Sequence, residues 1–152
     1  MFTKEFGKFV CEGDSITCVV ETLDGIFDCV ATVYRDECGD KPDERQDGFW
    51  PSRDPKAAGY VKPVAFEAAR EQAFRVWDAW CKDEWFYCGV CVTVAKNGVT
   101  LTKPYDNALW GVECNYPDTA NEYLRDVANE LLDEALIQAR GVIAKLCGKE
   151  SV

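Results

Sequence analysis

Hydrophobic and polar positions along this chain change period several times. Ser15 to Leu23 (SITCVVETL) is rich in β-branched residues, Asp24-Gly25 follows, and Ile26 to Tyr34 is a second strand-like run. Two such runs flanking Asp-Gly predict a β-hairpin. Phe27, Cys29, Ala31 and Val33 recur at period two, which places them on one core-facing side of the second strand. From Val64 to Glu84 the period becomes helical. Phe66, Ala69, Ala73, Val76, Trp77 and Trp80 form the apolar stripe, and most of Glu67, Arg70, Glu71, Arg75, Asp78 and Lys82 fall elsewhere. Alternation returns at Trp85 to Ala95, with Phe86, Cys88, Val90, Val92 and Val94 inward. Asn97-Gly98 is a second hairpin signal, Val99 to Thr102 the return strand, and Ala108 to Cys114 one more strand. A last helix is predicted from about Ala120 to Leu146. Its stripe is Leu124, Val127, Ala128, Leu131, Ala135, Val142, Ile143 and Leu146. Thr119 and Glu122 match a capping box at its start, and Gly148 a stop at its end.

Between the first hairpin and the first helix, residues 36–62 read as a long irregular loop. Pro42, Pro51 and Pro55 alternate there with Gly39, Gly48 and Gly59, and Phe49, Trp50 and Tyr60 are expected to pin the loop to the body. The predicted fold is α+β: an antiparallel sheet of four or five strands with two main helices. The order is β-hairpin, helix, β-hairpin plus strand, helix, in one domain over residues 1–152. Helices are expected to cover one face of the sheet. Strand order is left open by the pattern.

Charge and composition narrow the chemistry. The formal net charge is −10 in 152 residues, and histidine is absent. A nucleic acid is an improbable direct ligand for such a surface, because phosphates are bound through Lys and Arg. Without histidine, Cys–His and Ser–His nucleophilic catalysis are excluded, and the commonest neutral metal ligand is lost. No P-loop or dinucleotide-binding glycine pattern occurs, so no cofactor is implied. No apolar run approaches the roughly 18 residues that a bilayer requires, and the first residues lack the apolar core of a signal peptide. The expected location is the cytoplasm, with no membrane partner. Nine cysteines, an odd count without an export signal, read as reduced, buried apolar groups. Cys88 and Cys91 form a C-x-x-C pattern, but three residues apart on a strand they point to opposite faces and do not converge on a metal ion.

Two acidic constellations remain. Asp36, Glu37, Asp40, Asp43, Glu44 and Asp47 place six acids in twelve residues, without the ligand alternation of an EF-hand loop. Glu122, Asp126, Glu130 and Glu134 repeat every four residues on the last helix, with Asp133 beside them. At about 1.5 Å rise per residue that repeat is on the order of 6 Å, close to the spacing of successive nucleic-acid phosphates. Bland readings exist for both, a solvated loop and acids complementing a helix dipole. The functional reading is a carboxylate display for a basic partner. A third candidate is Glu113, in the apolar run Ala108 to Cys114. An inward Glu113 would have its pKa raised by burial; the bland alternative is a solvent-facing one.

The stretches Asp83 to Val90 (DEWFYCGV), Ala108 to Glu113 (ALWGVE), Asn115-Tyr116-Pro117 and Tyr123 to Leu131 (YLRDVANEL) resemble a group of small, mostly uncharacterised acidic proteins. Members of that group are encoded by bacteriophages, plasmids and integrated mobile elements. The resemblance covers a little under half the chain, from Lys82 to Leu146, with weaker likeness from Ser15 to Glu37. It carries no established activity and no catalytic residues. It implies a mobile-element origin, and by analogy of class an inhibitor of bacterial defence, of the anti-CRISPR or anti-restriction kind. Three readings follow. The first is a non-enzymatic inhibitor that binds a basic, nucleic-acid-handling host protein or ribonucleoprotein through both acidic constellations. The second is an enzyme or small-ligand binder with an aromatic pocket of Trp85, Tyr87, Trp110 and Tyr116 around Glu113. The third is a phage accessory structural protein, oligomeric through an exposed sheet face; a homodimer is compatible with it.

Overall fold

The computed structural model describes the backbone of residues 15–22 and 25–26 and the whole of residues 27–37 and 39–148. Its elements run β1 (Ser15–Thr22), β2 (Gly25–Arg35), α1 (Pro42–Arg45), α2 (Pro63–Cys81), β3 (Phe86–Lys96), β4 (Val99–Thr100), β5 (Ala108–Cys114) and α3 (Glu122–Leu146). All strand pairs are antiparallel, and the fold is α+β with the predicted order of elements. The loop expected over residues 36–62 contains one helical turn, α1. There Pro42 supplies the fixed φ that a first helical position favours, and Asp43 and Glu44 sit at the positive end of the turn.

β3 is the spine of the sheet. β2 pairs with one of its edges, and β1 pairs with β2 from Ser15 opposite Thr32 to Thr22 opposite Gly25. Leu23 and Asp24, at the expected first turn, lie outside the described residues. On the other edge of β3, β4 and β5 lie end to end. The β3–β4 turn is Asn97-Gly98, both left-handed with φ of 54° and 76°, as a type I′ hairpin turn requires. The β3–β5 register jumps from Cys88 opposite Val112 to Gly89 opposite Trp110. Gly111 is the extra residue of this β-bulge, and its φ of 79° is one that glycine adopts without strain.

The main core lies between the sheet and α3. Phe27, Cys29, Ala31 and Val33 of β2 and Cys88, Val90, Val92 and Val94 of β3 point into it, as their alternation predicts. α3 supplies Leu124, Val127, Ala128, Leu132, Ala135, Leu136 and Ala139. The predicted stripe differs at its C-terminal half. Leu132, Leu136 and Ala139 are buried, Leu131, Val142 and Ile143 only partly, and Leu146 is exposed. Burial along α3 ends at Ala139, and the turns beyond it lie at the margin of the core. The expected capping box is also replaced. The N-cap is Asn121, left-handed with φ of 61°, and the Thr119 hydroxyl donates to the Tyr116 carbonyl instead.

The two long helices do not share a face of the sheet, contrary to the expectation. Val76 and Ala79 of α2 pack with Trp85 and Tyr87, on the side opposite Cys88. The Trp85 indole N–H donates to the Val76 carbonyl at 2.8 Å and ties α2 to the start of β3. Trp50 packs against Phe74 and Trp77, and Phe49 against Trp77, so two of the three expected aromatic residues pin the loop to α2, whereas Tyr60 is exposed.

Candidate functional site

Each predicted acidic residue lies at the surface, in one of two places. On α3, Glu122, Asp126, Glu130, Asp133 and Glu134 are all exposed, on the side away from the buried stripe. In the loop, Glu37, Asp40, Asp43, Glu44 and Asp47 are exposed, whereas Asp36 is half-buried and faces Arg45 at 3.5 Å. Among the described residues, ion pairs join Arg35 to Asp83, Arg53 and Arg70 to Glu67, Arg75 to Asp118, and Lys82 to Asp78. None of these reaches the five α3 carboxylates. The two sets are not one surface: Arg45 of α1 stacks over the Tyr87 ring at 4.2 Å, whereas α3 lies on the Cys88 side of β3. Asp36, Glu37 and Asp40 instead rim an open hollow of about 640 Å³ with Trp80 and Cys81 of α2.

The aromatic residues singled out in the sequence divide. Trp85 and Tyr87 are 1% and 6% exposed and belong to the packed interior. Tyr116 packs edge-on against Trp85 at 5.0 Å and presents its other side outward. Trp110 lies flat over Gly89, where a Cβ would come within 2.3 Å of the ring, so only glycine allows that seat. The Tyr105 ring lies beside it at 6.4 Å, and 47% of the residue is exposed.

Trp110, Glu113, Tyr116, Glu122 and Tyr123 all line an open groove of about 500 Å³. The floor is β5, Leu109 to Glu113, whose far edge pairs with no described strand. The wall between β5 and α3 is held in shape by polar contacts. The Asn121 side-chain oxygen accepts from the Asn115 backbone N–H at 2.7 Å, and its amide N–H donates back to the Asn115 side-chain oxygen at 2.9 Å. Asn115, Asp118 and Asn121 are all left-handed, a conformation that Asn and Asp tolerate best among residues with a Cβ. The Glu122 carboxylate accepts from the Ala120 N–H at 3.2 Å.

Glu113 sits opposite Tyr87 in the register and points away from α3, not into the main core. Solvent reaches it, yet the packing around its carboxyl raises its pKa above that of a free glutamate. Burial likewise raises the Tyr87 and Tyr116 hydroxyls, and the nearby Glu113 charge adds to both. Sequence reasoning found Trp110, Glu113 and Tyr116 but missed Tyr123 as a groove residue and Asn121 as its organiser. The three Asx residues spaced by three between strand and helix were the available signal.

Cys88 and Cys91 are both buried and point to opposite faces, and the six described cysteines whose state is defined are free thiols. Among the described residues no His/Cys/Asp/Glu group is arranged to hold a metal ion, and no helix is long and apolar enough to cross a membrane. No family model matches the chain, and no curated protein or solved structure matches it significantly.

Proposed function

We propose that this protein is a non-enzymatic binding protein that occupies a basic surface on a nucleic-acid-handling protein, in the manner of an inhibitor of bacterial defence. One observation carries the reading: five exposed carboxylates on α3, Glu122 to Glu134, are joined by no ion pair among the described residues, while several of the described cations are paired elsewhere. A fixed row of negative groups on a packed helix costs little further ordering on association. Long-range attraction to a cationic surface speeds encounter and weakens with salt. Since the loop acids lie on the other side of the sheet, α3 is the primary face and residues 36–47 are a second contact at most.

Displacement of a labelled DNA duplex from restriction and CRISPR effector complexes tests this. The native chain is expected to release duplex, and the triple variant Asp126→Asn, Glu130→Gln, Glu134→Gln to need at least about tenfold more protein. Equal displacement by both chains, or displacement unaffected by raising salt from 50 to about 500 mM, would remove the carboxylates from the explanation.

A second reading, small-ligand binding or acid–base chemistry in the β5 groove, is favoured by the coexistence there of Glu113, whose proton affinity is raised, and Glu122. Its test is turnover or ligand-induced stabilisation that Glu113→Gln abolishes.

A further inference from the structure

The groove on β5 has a composition that the carboxylate row of α3 does not explain. Three aromatic side chains, Trp110, Tyr116 and Tyr123, and two carboxylates, Glu113 and Glu122, line one open depression of about 500 Å³. Trp110 and Tyr123 are 47% and 63% exposed, so the groove keeps ring surface open to an incoming group. Aromatic faces attract cations through the ring quadrupole, and carboxylates supply the net charge. An anion is repelled by both glutamates, and a purely apolar ligand would leave them desolvated.

We infer that this groove receives an arginine or lysine side chain carried on an extended segment of the partner. The inference rests on the basic-partner reading above and identifies the element of that partner which is recognised. The floor of the groove explains why the segment is extended. β5 is an edge strand, and its far side offers backbone groups to a chain laid alongside it. The Gly111 bulge interrupts that edge, so the ladder is short and the side chain in the groove supplies most of the selectivity. Charge also selects the occupant. A second copy of this protein would bring another net charge of −10 towards Glu113 and Glu122, whereas a basic segment neutralises them. The site is preformed: Gly89 fixes the Trp110 ring from below, and the reciprocal Asn115–Asn121 amide contacts fix the wall that carries Tyr116. Little ordering is then lost on binding.

The experiment titrates the native chain with a capped pentapeptide of alternating valine and arginine, and with its counterpart in which glutamine replaces arginine. The readouts are calorimetry and the amide and indole resonances. The arginine peptide is expected to bind at least about tenfold more tightly than the glutamine peptide and to move the Trp110 indole N–H signal. Trp110→Ala, Tyr123→Ala and Glu113→Gln are each expected to weaken it by about three- to tenfold, and Asp126→Asn/Glu130→Gln/Glu134→Gln by less than about twofold at fixed ionic strength. Tyr123→Ala and Glu113→Gln alter exposed residues, so the test stands even where Trp110→Ala fails to fold. Unchanged affinity in both exposed variants overturns the inference, as does equal binding of the two peptides or none. If the α3 triple variant alone loses the peptide, the groove is wrong and the basic-partner reading survives. Failure of duplex displacement with the peptide result intact removes the nucleic-acid-handling partner and leaves the groove.

Discussion

On the α3 side of the sheet, Cys29, Ala31, Val90, Val92, Leu124, Leu132 and Ala135 are small or aliphatic and wholly shielded from water, with the Phe27 ring fully buried among them. On the other side the buried set is short and aromatic: Trp85 and Tyr87 with Val76 and Ala79, flanked by half-buried Phe49, Trp80 and Tyr116. The first side is a helix laid on alternating strand residues, and its contacts are mutual and dry. The second is assembled from a loop, one helix and the open edge of β5, and the rings around buried Trp85 and Tyr87 are left partly in solvent. The contrast separates two tasks. Interdigitated aliphatic packing gives stability, whereas part-exposed rings beside carboxylates give a surface that can still gain by contact.

The largest expected effect breaks the first side. Leu132→Ala removes a fully buried side chain from the middle of α3 and should destabilise the protein by about 2–5 kcal/mol, read from the urea midpoint. Phe74→Ala, on the solvent-facing part of α2, is 51% exposed and should cost less than about half of that. Equal losses at the two positions would mean that the aromatic side is as well packed as the α3 side, and the division proposed between them would fail.

How much of this was readable in advance follows the same division. The alternation of β2 and β3 placed Phe27 to Val33 and Cys88 to Val94 correctly, because a strand residue has only two faces to choose from. β5 was found at its observed limits, Ala108–Cys114. The start of α3 was misread, since Thr119 and Glu122 have the right spacing for a capping box while the backbone takes another route through left-handed Asn121. Local pattern cannot reveal that Asn121 is committed to Asn115 across the connection. The side of the sheet taken by α2 was equally hidden: its stripe shows which residues are apolar, not which face of β3 they meet. For the site, Glu113 and its aromatic neighbours stood out by composition, whereas the groove exists only because the β5–α3 connection folds back beside the edge strand.

An intermediate effect sharpens the comparison at that connection. Asn121→Ala deletes both amide contacts to Asn115 and places a residue with no compensating side-chain hydrogen bond at φ of 61°. A loss of about 1–3 kcal/mol in chemical denaturation is expected, together with altered Tyr116 and Tyr123 ring signals. The α3 core should be untouched, so amide protection at Leu132 and Leu136 should fall only by the global loss. Changes spread evenly over both sides of the sheet would show that groove and core are one cooperative unit, with no independent wall to perturb.

The smallest effect concerns the charge on Glu113. Burial around its carboxyl makes the folded protein hold that proton more tightly than the unfolded chain does. Between the free-glutamate pKa and the higher folded value, the folded state therefore carries more bound protons than the unfolded state. Stability contributed by this group falls as pH rises through that window and is retained below it. Glu113→Gln removes the cost of the partly desolvated charge, so thermal stability at pH 7 should rise slightly relative to the native chain, and the gap should close by about pH 4. The groove is partly open to water, which keeps the effect small. A variant less stable than the native chain at pH 7, with the gap widening as pH rises, would show that the ionised carboxylate already has a partner within the fold. Glu113 would then not be held in reserve for an incoming cation, and the aromatic side would lose the feature that most distinguishes it from the core behind it.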